Sequence, residues 1–230
     1  MRNLTFSGAS AIAVAAAFVT GCANNNVPTK TEYSGFLGDY SNLQQTQDAK
    51  GETLLRYINP KLTPANYSAV IVDPVSIYPK AEPTEQLSQA TIDQVRNYGT
   101  TCLRQAIASR VRVVDAPGPD VLRLQVAITG VASTAEGLKP YQVVPMAFVA
   151  TRAINTVAGA PQQAKLLVEA RGTDSESGDV LAKIVRTHTG EKLGRVASNE
   201  PVITFESVRP IMDDWCDTVS KSVSQYVKPR

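Results

Sequence analysis

The clearest hydrophobic pattern lies near the C-terminus. Val208, Ile211, Met212, Trp215, Cys216, Val219, Val223, Tyr226 and Val227 recur at intervals of three and four residues. That spacing predicts an amphipathic helix over about 201–227, with Pro201 opening it. Leu87, Ile92, Val95, Cys102, Leu103, Ala106 and Ile107 repeat the pattern and predict a second helix from Thr84 or Ser88 to Arg110. Gly99 falls in its middle and weakens it by about 1 kcal/mol relative to Ala. Between these helices the period changes to two. Leu122, Leu124, Val126 and Ile128 alternate with Arg123 and Gln125, which predicts a half-buried strand over 121–129. Tyr67–Val72 is a β-rich run broken at Asp73-Pro74, with Val75–Tyr78 as its continuation. Val111–Val114 is a short strand before the breakers of 115–120. Ala164–Thr173 and Val180–Thr189 flank a polar loop containing Gly178, the pattern of a hairpin.

Two stretches follow neither period. Residues 30–66 form an N-terminal arm, with Asn59-Pro60 and Pro64 marking its end. Its aromatics predict packing of Phe36, Leu37 and Tyr40 onto the domain surface, in preference to a partner-docking strip. Residues 141–160 are almost entirely apolar. Pro145 and Gly159 bound a predicted helix over about 145–158, either buried against the sheet or exposed to a partner or bilayer surface. The fold class expected is α+β. A mostly antiparallel sheet carries two amphipathic helices on one face, with an additional apolar helical insert. The expected division is 1–21 signal peptide, 22–66 lipidated tether and arm, and 67–230 α+β domain.

The first residues bear on location. Arg2 precedes an apolar run from Leu4 to Val19, the composition of an export signal. The run is diluted by Ser7, Gly8 and Ser10, and is too short for a spanning helix, which wants about 20 apolar residues. Val19-Thr20-Gly21-Cys22 resembles a bacterial lipobox. The resemblance implies cleavage before Cys22, diacylglycerol on its sulfur and an acyl chain on its new amino group. One acyl chain holds a protein only weakly, whereas two or three anchor it. Ala23 stands where an Asp would resemble an inner-membrane retention signal, which points to the periplasmic face of the outer membrane. Asn24-Asn25-Asn26, Pro28 and Thr29 read as a polar tether.

Charge and chemistry narrow the function classes. With 23 basic and 21 acidic residues the chain is close to neutral, so nucleic acid is a poor partner, and no polybasic run suits anionic lipid. Beyond Cys22, Cys102 and Cys216 lie on the apolar stripes of the two helices. Either a disulfide or two separate buried thiols fits that placement. His188 is the only histidine, and nothing in the sequence gathers a nucleophile and an orienting acid around it. Asp213, Asp214 and Asp217 suit the solvated face opposite Trp215, with a metal site a remote alternative. Asp174, Glu176 and Asp179 lack calcium-loop spacing. No Gly-rich phosphate loop is present. The expectation is a protein that is not an enzyme, with no catalytic residue, no metal and no cofactor.

The element order is strand, helix, strand, strand, apolar insert, strand, strand, helix. With it come Tyr33-Ser34-Gly35-Phe36-Leu37, Asp39-Tyr40, Asp73-Pro74-Val75, Pro117-Gly118-Pro119-Asp120 and Ser177-Gly178-Asp179-Val180-Leu181. In these features the chain resembles a bacterial lipoprotein family, the domain of unknown function numbered thirty-three-thirteen. That family carries no established activity, so the resemblance implies no catalytic residue. Three functions stay open. The first is a tethered binding or scaffold module with an envelope protein partner, held to the membrane through lipid on Cys22. The second is a carrier of lipid or another apolar ligand, with 141–160 lining or gating a pocket. The third is an unrecognised hydrolase.

Overall fold

Three long strands form the centre of the molecule. The computed structural model describes residues 30, 33–48, 51–83, 87–135, 162–193 and 203–230. The predicted signal peptide, Cys22, the tether and the 141–160 helix lie outside the described residues. In chain order the strands are β1 (Gln44–Gln47), β2 (Thr53–Ile58), β3 (Ala69–Val72), β4 (Ser76–Ile77), β5 (Arg112–Val113), β6 (Val121–Ala135), β7 (Gln162–Asp174) and β8 (Val180–Leu193). The helices are α1 (Gln89–Ala108) and α2 (Phe205–Val223).

The strands make one eight-stranded sheet in the order β1-β2-β8-β7-β6-β3-β5, with β4 pairing with β6 beyond the end of β3. The predicted hairpin is β7–β8, turning through Asp174–Gly178, where Gly178 takes φ +76°. Asp174 holds that turn by accepting the backbone N–H groups of Glu176 and Ser177 at 3.0 and 2.9 Å.

The sheet is mixed, which corrects the mostly antiparallel expectation. β3 runs parallel to both β5 and β6, and β4 runs parallel to β6. The cause is the helix between β3 and β5. A strand, a crossover helix and a returning strand bring the two strands back parallel. A second difference concerns the arm. Residues 44–58, for which no period was evident, supply β1 and β2, and β2 adds antiparallel to the outer edge of β8. Leu54 and Leu55 are both buried, Leu54 on the side that α2 covers and Leu55 beneath the arm. A strand covered on both sides does not alternate, so its sequence carries no period of two.

Both helices cover one face and enclose the main core. Leu122, Leu124, Val126 and Ile128 from β6 meet Leu103 and Ile107 of α1 and Val208, Met212 and Trp215 of α2. Ser88 caps α1, its hydroxyl accepting the Thr91 N–H at 3.1 Å. Thr204 caps α2, so this helix begins at Phe205, four residues later than Pro201 would place it. Pro210 lies inside α2 and leaves the Glu206 carbonyl without its helical N–H donor. Gly99 of α1 faces α2. A Cβ there would lie 3.0 Å from Met212 Cε and 3.6 Å from the Trp215 ring. The glycine that weakens the helix is what allows the two helices to approach.

Candidate functional site

The two faces of the sheet are finished differently. The face without helices is covered by residues 33–43 of the arm. Phe36, Leu37, Tyr40 and Leu43 pack on Leu55 and Val185. Two charged side chains fasten them. Glu169 on β7 is fully buried and accepts the Ser34 N–H at 2.9 Å and the Tyr40 hydroxyl at 2.6 Å. Lys183 on β8 donates to the Asp39 carbonyl at 2.6 Å and pairs with its carboxylate at 3.2 Å. Tyr33 stacks on Tyr40 with ring centroids 4.3 Å apart, and the Arg171 guanidinium lies over Phe36 at 5.6 Å. Burial and the hydrogen bond to Glu169 push the Tyr40 phenol up to about 12. The Ser41 N–H and hydroxyl and the Lys183 ammonium hold Asp39 down at about 2.

The opposite face carries an apolar groove where α2 stops short of the β2 edge. Its floor is Leu54, Arg56 and Ile58 from β2 with Ala182, Ile184, Arg186 and His188 from β8. Its wall is α2 and the turn after it, through Trp215, Thr218, Val219, Ser222, Val223 and Tyr226. The cavity measures about 90 Å³. One end is polar. Arg186 is buried and pairs with Asp48 at 2.7 Å and with Glu52. A buried pair of this kind is retained where its partners are fixed, and here it pins the β1–β2 turn to β8. His188 lines the same end and is 3% exposed.

The residues singled out in the sequence fall in several places. Cys102 and Cys216 form a disulfide between α1 and α2, with Cα atoms 6.0 Å apart. Asp213, Asp214 and Asp217 do not converge. Asp213 accepts from the Tyr98 hydroxyl, and Asp217 pairs with Arg110 at 3.1 Å and Lys221 at 2.6 Å. Asp174 serves the hairpin turn and accepts from the Tyr67 hydroxyl at 3.0 Å. Among the described residues no group of three or more His, Cys, Asp or Glu gathers where it could hold a metal ion, and no helix is long and apolar enough to cross a membrane. Sequence reasoning missed Arg56, Leu54 and Ile58 as groove residues. The available signal was the run Thr53–Ile58 between Gly51 and Asn59-Pro60, a strand-length segment bounded by turn residues.

Residues 32–219 match the family described as a protein of unknown function, DUF3313. The uncharacterized lipoprotein YdcL of Escherichia coli K12 is 31% identical over 214 residues, covering 93% of this chain and 94% of the relative. Solved structures are more distant. A hypothetical protein of Chlamydia trachomatis is 10% identical with a TM-score of 0.40, over 68% of this chain and 98% of that one. The PelC dodecamer of Paraburkholderia phytofirmans is 14% identical with a TM-score of 0.32, over 76% of this chain and 96% of that one.

Proposed function

The chain belongs to the DUF3313 family of proteins of unknown function, and from that membership we propose that it is an outer-membrane lipoprotein acting as a tethered binding module of the cell envelope. Cys22 carries the lipid, palmitate among its acyl chains, and the domain sits on the periplasmic face. The relative's lipoprotein character and the Val19–Cys22 lipobox support the anchor. One observation carries the binding role. The arm leading to the tether is locked to the bare face of the sheet by Glu169 and Lys183, while the groove opens on the other face. A domain held this way presents the groove on the face opposite the one that the arm covers. Confinement raises its effective concentration for anything in the same layer. It acts by binding, without catalysis. His188 is packed in the groove floor, and Asp213 and Asp217 of α2 are spent on a tyrosine and on ion pairs.

The test is a Cys22→Ser chain in cells fed labelled palmitate. Wild type is expected to take the label and band with the outer membrane in a density gradient, and the variant to do neither. Label on the variant, or wild type banding with the inner membrane, would overturn the assignment. Crosslinkers placed around the groove should capture an envelope protein more efficiently than crosslinkers on the arm.

A second reading has its own observation. The groove lining is predominantly apolar, as suits a carrier of a lipid or other apolar ligand. Native mass spectrometry of gently isolated protein should then show an added small mass. Protein that is empty under those conditions would count against the carrier reading.

A further inference from the structure

A second cleft lies at the β5 end of the sheet and shares no lining residue with the groove. Arg112 of β5 lines it together with Lys228 and Arg230, and no Asp or Glu is among its lining residues. All three cations are exposed, and none has a carboxylate within ion-pair distance among the described residues. The backbone that carries them is held. Pro229 bridges antiparallel to Val111, the Lys228 N–H donates to the Tyr67 carbonyl, and the Arg230 N–H donates to that of Arg110. The fold therefore gathers these charges, since Arg112 stands more than a hundred residues from the other two and no basic run marks them. Asp120 is bonded to the lining, accepting the Ser68 hydroxyl. With Asp120 and a terminal carboxylate on Arg230 both counted, three positive charges stand against two negative ones, so the cleft stays positive. Like charges sharing a cleft repel, and an anion between them relieves that repulsion.

We propose that this cleft binds a phosphate group, held by Arg112, Lys228 and Arg230. The donor set selects the anion. A carboxylate presents two oxygens in one plane, and a single guanidinium fork satisfies it. It leaves the other two cations unmet. A singly esterified phosphate is tetrahedral, with three outward oxygens and nearly two charges at neutral pH. Two guanidinium forks and one ammonium match that array, the forks giving paired hydrogen bonds and the ammonium a point charge. The site is separate from the groove and stands independently of the carrier reading. Its phosphate is either free in solution or the exposed headgroup of a lipid, and the recognition is the same for both.

The experiment uses the full chain with Cys22→Ser, at low salt because exposed charges are screened at higher ionic strength. Inorganic phosphate and acetate are titrated by calorimetry at neutral pH and matched ionic strength. This parent chain is expected to bind phosphate saturably and acetate at least about tenfold more weakly. Adding Arg112→Gln, Lys228→Gln or Arg230→Gln should weaken phosphate at least about fivefold, whereas Lys61→Gln, at an exposed cation outside the cleft, should stay within about twofold. All four side chains are exposed, so urea midpoints should match the parent and the losses report binding. No saturable phosphate binding, equal affinity for acetate, or an equal loss in Lys61→Gln overturns the proposal. Vesicles then separate the two sources. If phosphatidylcholine vesicles carrying phosphatidic acid sediment the parent, and Arg112→Gln less, the phosphate is a lipid headgroup. Saturable phosphate binding without sedimentation assigns the site to a soluble phosphate.

Discussion

Glu169 and Tyr40 decide where the arm sits. The carboxylate is fully buried and takes two hydrogen bonds from arm residues separated from it by more than a hundred positions. A hydrogen bond to a charged acceptor contributes about 1.5–3 kcal/mol. Tyr40→Phe is therefore expected to lower stability by about 2 kcal/mol in urea titrations at pH 7. The same phenol gives the arm a pH dependence. Its folded pKa is about 12 against an ordinary value of 10, so the folded chain holds this proton more tightly. The contribution is complete below pH 10 and is lost as pH rises toward 12. Tyr67, also raised to about 12 by burial and its bond to Asp174, loses its share over the same window. Urea midpoints should fall between pH 10 and 12 in wild type and fall less in Tyr40→Phe. Parallel curves for the two proteins would show that the phenol is not the titrating group. The arm's aromatics were legible as packing residues because large apolar rings bury area wherever they sit. Glu169 was not, since nothing local marks a carboxylate whose partners lie in the arm.

At the scale of elements, the contact between α1 and α2 is set by Gly99 and closed by the disulfide. Gly99→Leu drives a side chain into Met212 and Trp215 and should cost about 1–3 kcal/mol in thermal or urea unfolding. Adding Met212→Ala frees space at that point, so the double variant should be less destabilised than the two single costs added together. Cys102 and Cys216 are 114 residues apart, and closing so long a loop restricts the unfolded chain strongly. Cys102→Ser, Cys216→Ser and the double variant should each lose about 2–5 kcal/mol. Reductant should lower the wild-type urea midpoint and leave theirs unchanged. Both helices were readable because each buries one face and repeats accordingly. β1 and β2 were not, since Gln44–Gln47 is a polar edge and Thr53–Ile58 buries the consecutive Leu54 and Leu55 instead of alternating. The parallel pairing was available in the strand, helix, strand order and was outweighed by the strong antiparallel signal of the β7–β8 hairpin.

For the whole molecule, the groove arises where a segment from the arm meets one from the C-terminal half, and that meeting has no sequence signature. The C-terminal residues also tie distant parts together. Val227 is fully buried, the Lys228 N–H donates to the Tyr67 carbonyl at 2.9 Å, and the Arg230 N–H donates to that of Arg110 at 2.9 Å. Deleting 224–230 removes these contacts with the buried valine and should cost about 2–4 kcal/mol, read as a lowered urea midpoint. The strand order carries a further consequence. β2 ends at Ile58, and the strand that receives it, β8, does not begin until Val180. Any chain emerging with its N-terminus first must keep Leu54 and Leu55 without a sheet to join until most of its length has followed. Closure then comes late and all at once, with α2, its cysteine and the last residues arriving together. The interval before it, when an unpaired hairpin and an open sheet edge are both exposed, is when this chain most needs a holding chaperone.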